Sequence, residues 1–162
     1  MKLDVGCGKN KVDGAIGIDI SKDSDADVIC DIERGLPFKD SVFDEVYCNQ
    51  IVEHVSDLVS FMEEIHRVSK NHAKVFIDAP YYASFTAYQD PTHKTFITEH
   101  TFDYFLENSP YNYYTKARFR VVKISYKYSK ITRILFFIPK RILRRFLFNS
   151  TLGIHFELEV VK

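Results

Sequence analysis

Apolar residues along this chain fall into short runs, each closed by a glycine or an acidic residue. Residues 2–7 (KLDVGC) form the first and break into Gly6-Cys7-Gly8. Residues 15–20 (AIGIDI), 26–32 (ADVICDI), 43–49 (FDEVYCN) and 74–80 (KVFIDAP) follow, and their length and bounding residues predict five strands. One segment of helical period interrupts them. Leu58, Phe61, Met62, Ile65 and Val68 share a face, Ser56 or Asp57 is available as the cap, and Asn71 is the expected left-handed terminator. Past Pro80 the texture changes. An aromatic loop is expected over 81–91, a helix over 99–107, and a strand over 118–128. A basic and apolar tract covers 130–148, broken by Pro139, and a last alternating strand covers 155–161. This order predicts an α/β sheet that is mostly parallel, with an antiparallel final strand.

The length of 162 residues suits one domain over the whole chain. Cys7, Cys30 and Cys48 are scattered and odd in number, which is neither a disulfide framework nor a metal-ligand spacing. The expectation is therefore a reducing compartment and no metal. No charged-then-apolar secretory start is seen, and the apolar run at 134–139 is too short to span a bilayer. The chain reads as cytoplasmic, with a peripheral membrane position as the variant.

Charge sharpens that variant. The formal net charge is zero, yet no acidic residue occurs between Asn108 and Phe156, while eleven basic residues lie from Lys116 to Arg145. Either the acidic first part and the basic second part neutralise each other, or the basic 116–145 segment faces an anionic partner, a membrane surface or a nucleic acid. The tract 130–148 reads equally as an interfacial helix or as a helix covering the sheet with its basic stems along the edge.

Candidate chemistry gathers where parallel strands end, the place at which open α/β sheets receive ligands. In order these ends carry Gly6-Cys7-Gly8, Asp19, Asp31 and Asn49. A glycine pair lets backbone approach a ligand, a carboxylate at the second strand's end suits ribose hydroxyls, and Asp31 suits the amine of a base. Each alone is equally a cap or turn residue; the ordered set is what points to a nucleotide-type cofactor. A dinucleotide is disfavoured. Lys11 stands where a third glycine belongs, and only six residues, Lys9 to Gly14, precede the second strand. That is below the dozen or so of a crossover helix. Asp4 would repel a pyrophosphate but suits an ammonium and a sulfonium, which directs the reading to S-adenosylmethionine (SAM).

LDVGCGKNK, GIDIS, the pair Asp31-Ile32, LPFKDSVFDEVYCNQIVEHV and FMEEIHRVSK together resemble a class I SAM-dependent methyltransferase of the small type 11 group, over roughly residues 1–80. The resemblance implies a Rossmann-like sheet, with residues 1–80 as the SAM-binding half and 81–162 as the acceptor side. It implies Gly6, Cys7 and Gly8 along the methionine portion, with Asp4 at its amino group. Asp19 and the adjoining Ile20 fall at the ribose, Asp31 and Ile32 around the adenine, and Asn49 and Gln50 on the methionine side near the reaction centre. A helix normally follows the first motif in this family; here it is shortened or absent. For a base, the candidates are His54, His93 and Tyr81. His54 is equally a packing or capping residue, and Asp90-Pro91-Thr92-His93 equally an Asx-type turn. The expected activity is methyl transfer to a small-molecule or a lipid- or glycan-linked acceptor. A nucleic-acid methyltransferase is disfavoured, since NQIV stands where base-methylating enzymes carry an NPPY-type sequence. A SAM-binding scaffold with weak or no turnover is the alternative.

Overall fold

The computed structural model describes residues 1–135 and 137–162, without the side chains of Ile131 and Arg133; those three positions of the 130–148 tract lie outside the description. Seven strands form one sheet in the order β3-β2-β1-β4-β5-β7-β6. They are β1 (Lys2–Val5), β2 (Ala15–Asp19), β3 (Val28–Ile29), β4 (Phe43–Asn49), β5 (Ser69–Pro80), β6 (Arg118–Tyr128) and β7 (Thr151–Val161). The first five pair in parallel, and β7 runs antiparallel to both β5 and β6. This is the mostly parallel Rossmann-like arrangement that the strand order predicts.

The helix α1 (Leu58–Val68) connects β4 to β5. Asp57 caps it, accepting from Val59 N and Ser60 N at 3.0 Å each, and Phe61, Met62, Ile65 and Val68 are buried beneath it. Its end differs from expectation. β5 begins at once with Ser69, whose hydroxyl donates to Ile65 O at 2.6 Å, and the left-handed residue is His72 rather than Asn71. Hydrogen bonding at Ser69 therefore ends the helix before Asn71 is reached.

Two further expectations change. β3 shrinks to two residues, because the Asp27 carboxylate turns back to accept from Gly17 N at 2.7 Å. The helix expected over 99–107 is a 3-10 turn, Thr101–Phe105, whose Phe102 and Phe105 both point into the core. The basic tract forms two short helices, α2 (Lys130–Ile134) and α3 (Lys140–Phe146), separated at Pro139. Leu143 anchors α3, and Arg144 lies 4.0 Å from the Tyr126 ring, whereas Ile134 and Phe146 are 70% and 78% exposed. Covering thus rests on Thr132 of α2, buried and donating to Ser150 O, and on one side of α3.

Residue alternation makes the two faces of the sheet unlike. Val46 and Cys48 of β4, Val75 and Ile77 of β5, and Phe156, Leu158 and Val160 of β7 are fully buried. α1 and the segment 81–117 cover this face: Phe102 packs on Phe156 with ring centroids 4.8 Å apart, and His66 on Phe119 at 5.6 Å. The opposite face carries Glu45, Tyr47 and Asn49, then Lys74, Phe76 and Asp78, then His155, Glu157 and Glu159. Ion pairs tie that face together, Lys74 to Glu159 at 3.2 Å and Arg120 to Glu159 at 3.0 Å, around stacked Tyr47 and Phe76 rings 5.0 Å apart. Parallel sheets are normally buried on both sides. Here, among the described residues, no helix packs on the second face.

Candidate active site

The first crossover contains no helix. After β1 the chain turns through Gly6 at φ +69°, where a Cβ would lie 2.7 Å from Ile51 Cδ1, so glycine is required both for the dihedral and for the space. The loop then folds over the open face of β1 and β2. Asp4 Oδ2 accepts from Val12 N at 2.8 Å, and the Lys11 stem lies across Gly17, where a Cβ would come within 2.5 Å of Lys11 Cδ. Lys11 Nζ reaches both oxygens of Asp27 at 2.9 Å. Lys11 therefore does the work of the missing helix, tying the loop to the edge of the sheet.

The loop leaves two features without a partner. Asp4 is 1% exposed, and its Oδ1 has no hydrogen-bond partner among the described residues. Burial pushes its pKa up, only partly offset by the Val12 N–H. A buried, half-satisfied carboxylate costs free energy unless a cationic partner arrives. Beyond Gly8, a Cβ would meet nothing within 4 Å. Asp19 grips the same turn, accepting from Gly8 N at 2.9 Å and Ser21 N at 2.8 Å.

A cleft of about 300 Å³ opens at the ends of β1, β2 and β3, lined by Gly6, Asp19, Ile20, Asp31, Ile32 and His54 among the expected residues. Cys30, Glu33, Ile51, Val55 and Lys94 complete it. Ile20 is 70% exposed at its mouth, an apolar plate facing solvent. Asp31 also caps the 3-10 turn Ile32–Arg34, accepting from Glu33 N at 3.1 Å, and pairs with Arg34. Asp31 is thus the cap of this turn and at the same time a lining residue of the cleft. Asp4, Cys7 and Gly8 are not among the cleft's lining residues. The chemistry of the set fits SAM: Asp19 suits hydroxyls, Ile20 and Ile32 suit the flat base, and the unpartnered Asp4 carboxylate, buried under the loop, is the candidate for the ammonium.

Asn49 and Gln50 line a different cleft. Gln50 takes φ +52° and donates its N–H to Asp78 O at 2.8 Å, which turns the chain at the end of β4. Here a polar hollow of about 670 Å³ lies on the open face, with Asp78, Thr86, Ser125, Lys127 and His155 around it. His155 Nδ1 and Asp78 Oδ2 are 3.0 Å apart. This pair was not foreseen; its only trace in the sequence is a polar position at the same phase in each of two alternating strands. The turn at residues 49–51 stands between the two clefts, with Gln50 on one side and Ile51 on the other.

The three base candidates separate. Tyr81 is 1% exposed and donates its hydroxyl to Glu99 Oε2 at 2.6 Å; it lines neither cleft. His54 and His93 come together with ring centroids 4.7 Å apart. His54 does not cap α1, since Asp57 does. Residues 90–93 do form the Asx turn, with Asp90 Oδ1 accepting from Thr92 N at 2.8 Å. Glu53, absent from the sequence reading, is buried beside both histidines, and burial pushes its carboxyl up to about 7. The His54 pKa is lowered, first by burial and then by the neighbouring His93.

Fold and site define a class I SAM-dependent methyltransferase, with SAM as the cofactor. Residues 3–77 match the family described as Methyltransferase domain. A SAM-dependent methyltransferase from Archaeoglobus fulgidus is 20% identical, with 98% of this chain and 85% of that one covered, at a TM-score of 0.71. One from Mesorhizobium loti is 11% identical, covering 98% and 89%, at 0.59. The [4+2]-cyclase SpnF is 15% identical, covering 99% and 74%, at 0.66. At such identities the likeness is one of fold. No curated protein matches the sequence.

Proposed function

We propose that the whole chain works as one methyltransferase unit that modifies a polar, lipid- or glycan-linked acceptor held in the larger cleft. The observation that carries this reading is the turn at residues 49–51, which forms a wall of both the SAM-type cleft and the polar hollow. SAM, when bound, supplies an electrophilic methyl group on a sulfonium. Asp4 would hold its ammonium, Gly6, Cys7 and Gly8 its methionine portion, Asp19 its ribose, and Asp31, Ile20 and Ile32 its base.

Methyl transfer then needs in-line positioning and, for a hydroxyl or amine, removal of a proton. His155 faces the hollow and is oriented by Asp78, so this pair takes the role of base in our reading. Asn49, Gln50, Ser125 and Lys127 offer hydrogen bonds to a polar acceptor, in a volume within the usual range for small-ligand sites. The lipid link is supported by the exposed residues of the 130–148 tract. Ile134, Phe146 and Phe148 are each more than half exposed in a tract that also carries Lys140, Arg141 and Arg145. Within the basic segment, only Arg120 and Arg144 form ion pairs among the described side chains. The positive charge is thus largely left for a partner, and no described helix is long and apolar enough to cross a membrane.

Calorimetry with SAM and with its demethylated product tests the cofactor site; no binding at millimolar ligand refutes it. Radiolabelled methyl transfer to separated lipid-linked and free polar fractions tests the acceptor. Incorporation confined to free small molecules refutes the lipid link, and tight SAM binding with no incorporation anywhere leaves the chain a SAM-binding scaffold.

A further inference from the structure

We propose that Glu53, His54 and His93 form a binding site for a divalent metal ion of the zinc type. One ligand atom from each lies within 4.8 Å of the others. Glu53 is 2% exposed, and both of its carboxylate oxygens lack a hydrogen-bond partner among the described residues. A buried carboxylate with both oxygens unmatched is costly, and a cation between it and two imidazoles removes that cost. The sequence hides the cluster because its members come from two segments, the turn after β4 and the Asp90–His93 turn. Backbone bonds bring these together: Lys94 N and Thr95 N donate to Glu53 O at 2.7 and 3.1 Å.

The hydrogen bonds around the two rings leave the same nitrogen bare in each. His93 Nδ1 lies 2.9 Å from Ala87 O, which can only accept, so that nitrogen carries the proton and Nε2 keeps its lone pair. Thr92 Oγ1 donates its single proton to Asp90 Oδ1 at 2.6 Å, so His54 Nδ1, 2.9 Å from the same hydroxyl, must donate to it. Ligating histidines are generally held in this way, one ring nitrogen pinned by an oxygen and the other free. Two imidazoles and one carboxylate with a fourth position open are a known donor set for zinc, and His54 also lines the cofactor cleft. The ion would fasten the Asp90–His93 turn to the wall of that cleft. This inference does not depend on which acceptor is methylated.

The test takes the full chain, strips it with a chelator, dialyses it against zinc and counts retained metal by mass spectrometry; cobalt(II) then serves as a spectroscopic reporter. We expect one zinc per chain and visible d–d absorption of four-coordinate cobalt. Glu53→Gln and His93→Ala should lose both while keeping the far-ultraviolet dichroism of the fold. His100→Ala, an exposed histidine paired with Asp103, should keep both. Should the first two variants fail to fold, Thr92→Ala, at an exposed residue outside the ligand set, is expected to lower zinc affinity by about 10–100-fold. No retained zinc in the wild type, retention unchanged in Glu53→Gln and His93→Ala, unchanged affinity in Thr92→Ala, or uptake of magnesium in preference to zinc would each overturn the proposal.

Discussion

Asp4→Asn separates a ligand-binding carboxylate from a structural one, because the two roles predict opposite signs for stability. In the wild type Oδ2 closes the loop by accepting from Val12 N at 2.8 Å, while buried Oδ1 has no partner. An asparagine retains one oxygen for Val12 and places an amide donor where the ammonium of SAM would sit. The lost interaction is a hydrogen bond between charged groups, worth about 1.5–3 kcal/mol. That corresponds to a rise in the SAM Kd of about 10- to 150-fold.

Stability moves the other way. The Asp4 pKa is raised in the folded protein, so the fold holds this proton more tightly than the unfolded chain does. Its contribution to stability is therefore present below the unfolded pKa and is lost as pH rises through the folded one. Near neutral pH the ionised group burdens the empty protein, and Asp4→Asn removes that burden. The ligand-free melting temperature should hold or rise while SAM affinity falls. Acidification through the raised Asp4 pKa should weaken SAM binding in the wild type and leave this limb out of the variant's profile. Calorimetry and thermal melts of both proteins across pH decide the matter. A lower melting temperature with unchanged SAM affinity would make Asp4 a loop clasp alone and remove the argument that it selects the cofactor.

Asp19→Ala should weaken SAM and adenosine together by about tenfold or more, since it removes both a ribose partner and the clamp on Gly8 N; equal affinities in calorimetry refute the ribose role. His155→Ala should lower kcat by about 10²–10⁴ with the SAM Kd unchanged, and an unaltered rate on the true acceptor refutes the base assignment. Cys30, on the cleft wall with its thiol pKa raised by burial, should react slowly with maleimide and more slowly still with SAM present, whereas Cys48, fully buried, should react only on unfolding. Flotation with anionic vesicles should fall as salt rises and fall further in Phe146→Ala; binding indifferent to salt refutes the basic contact.

What could be read in advance follows from the range of each interaction. Strand β4 and α1 are local patterns, so the bounded run FDEVYCN and the helical spacing from Leu58 to Val68 located them closely. The short first crossover was equally visible, because chain length between Gly8 and β2 is a local quantity. Element ends failed where one side chain decided the matter, as at Ser69, whose bond to Ile65 O leaves no place for a terminator at Asn71. The candidate cofactor residues announce themselves by position at strand ends. The pair Asp78–His155 and the trio Glu53, His54 and His93 do not, since each joins segments far apart along the chain. His93 invited a reading as base or turn, and its third possibility emerges only when Glu53 is seen buried against it.

The shortened crossover also accounts for the unusual second face of the sheet. A helix after β1 would pack on Asp4, Gly17 and the neighbouring side chains of β4 and β5, and such a face would be apolar. Instead the loop covers only β1 and β2, and the remaining strands meet water with a mostly polar face around the Tyr47–Phe76 stack. The ion pairs of Glu45, Lys74, Glu157 and Glu159 satisfy that face without a further layer. The same economy leaves the larger cleft unroofed over Asn49, Asp78 and His155, so an acceptor too large for a closed pocket has direct access to it. An open site of this kind gives up the exclusion of water that a lid supplies. Access from solvent is what the open face offers in exchange.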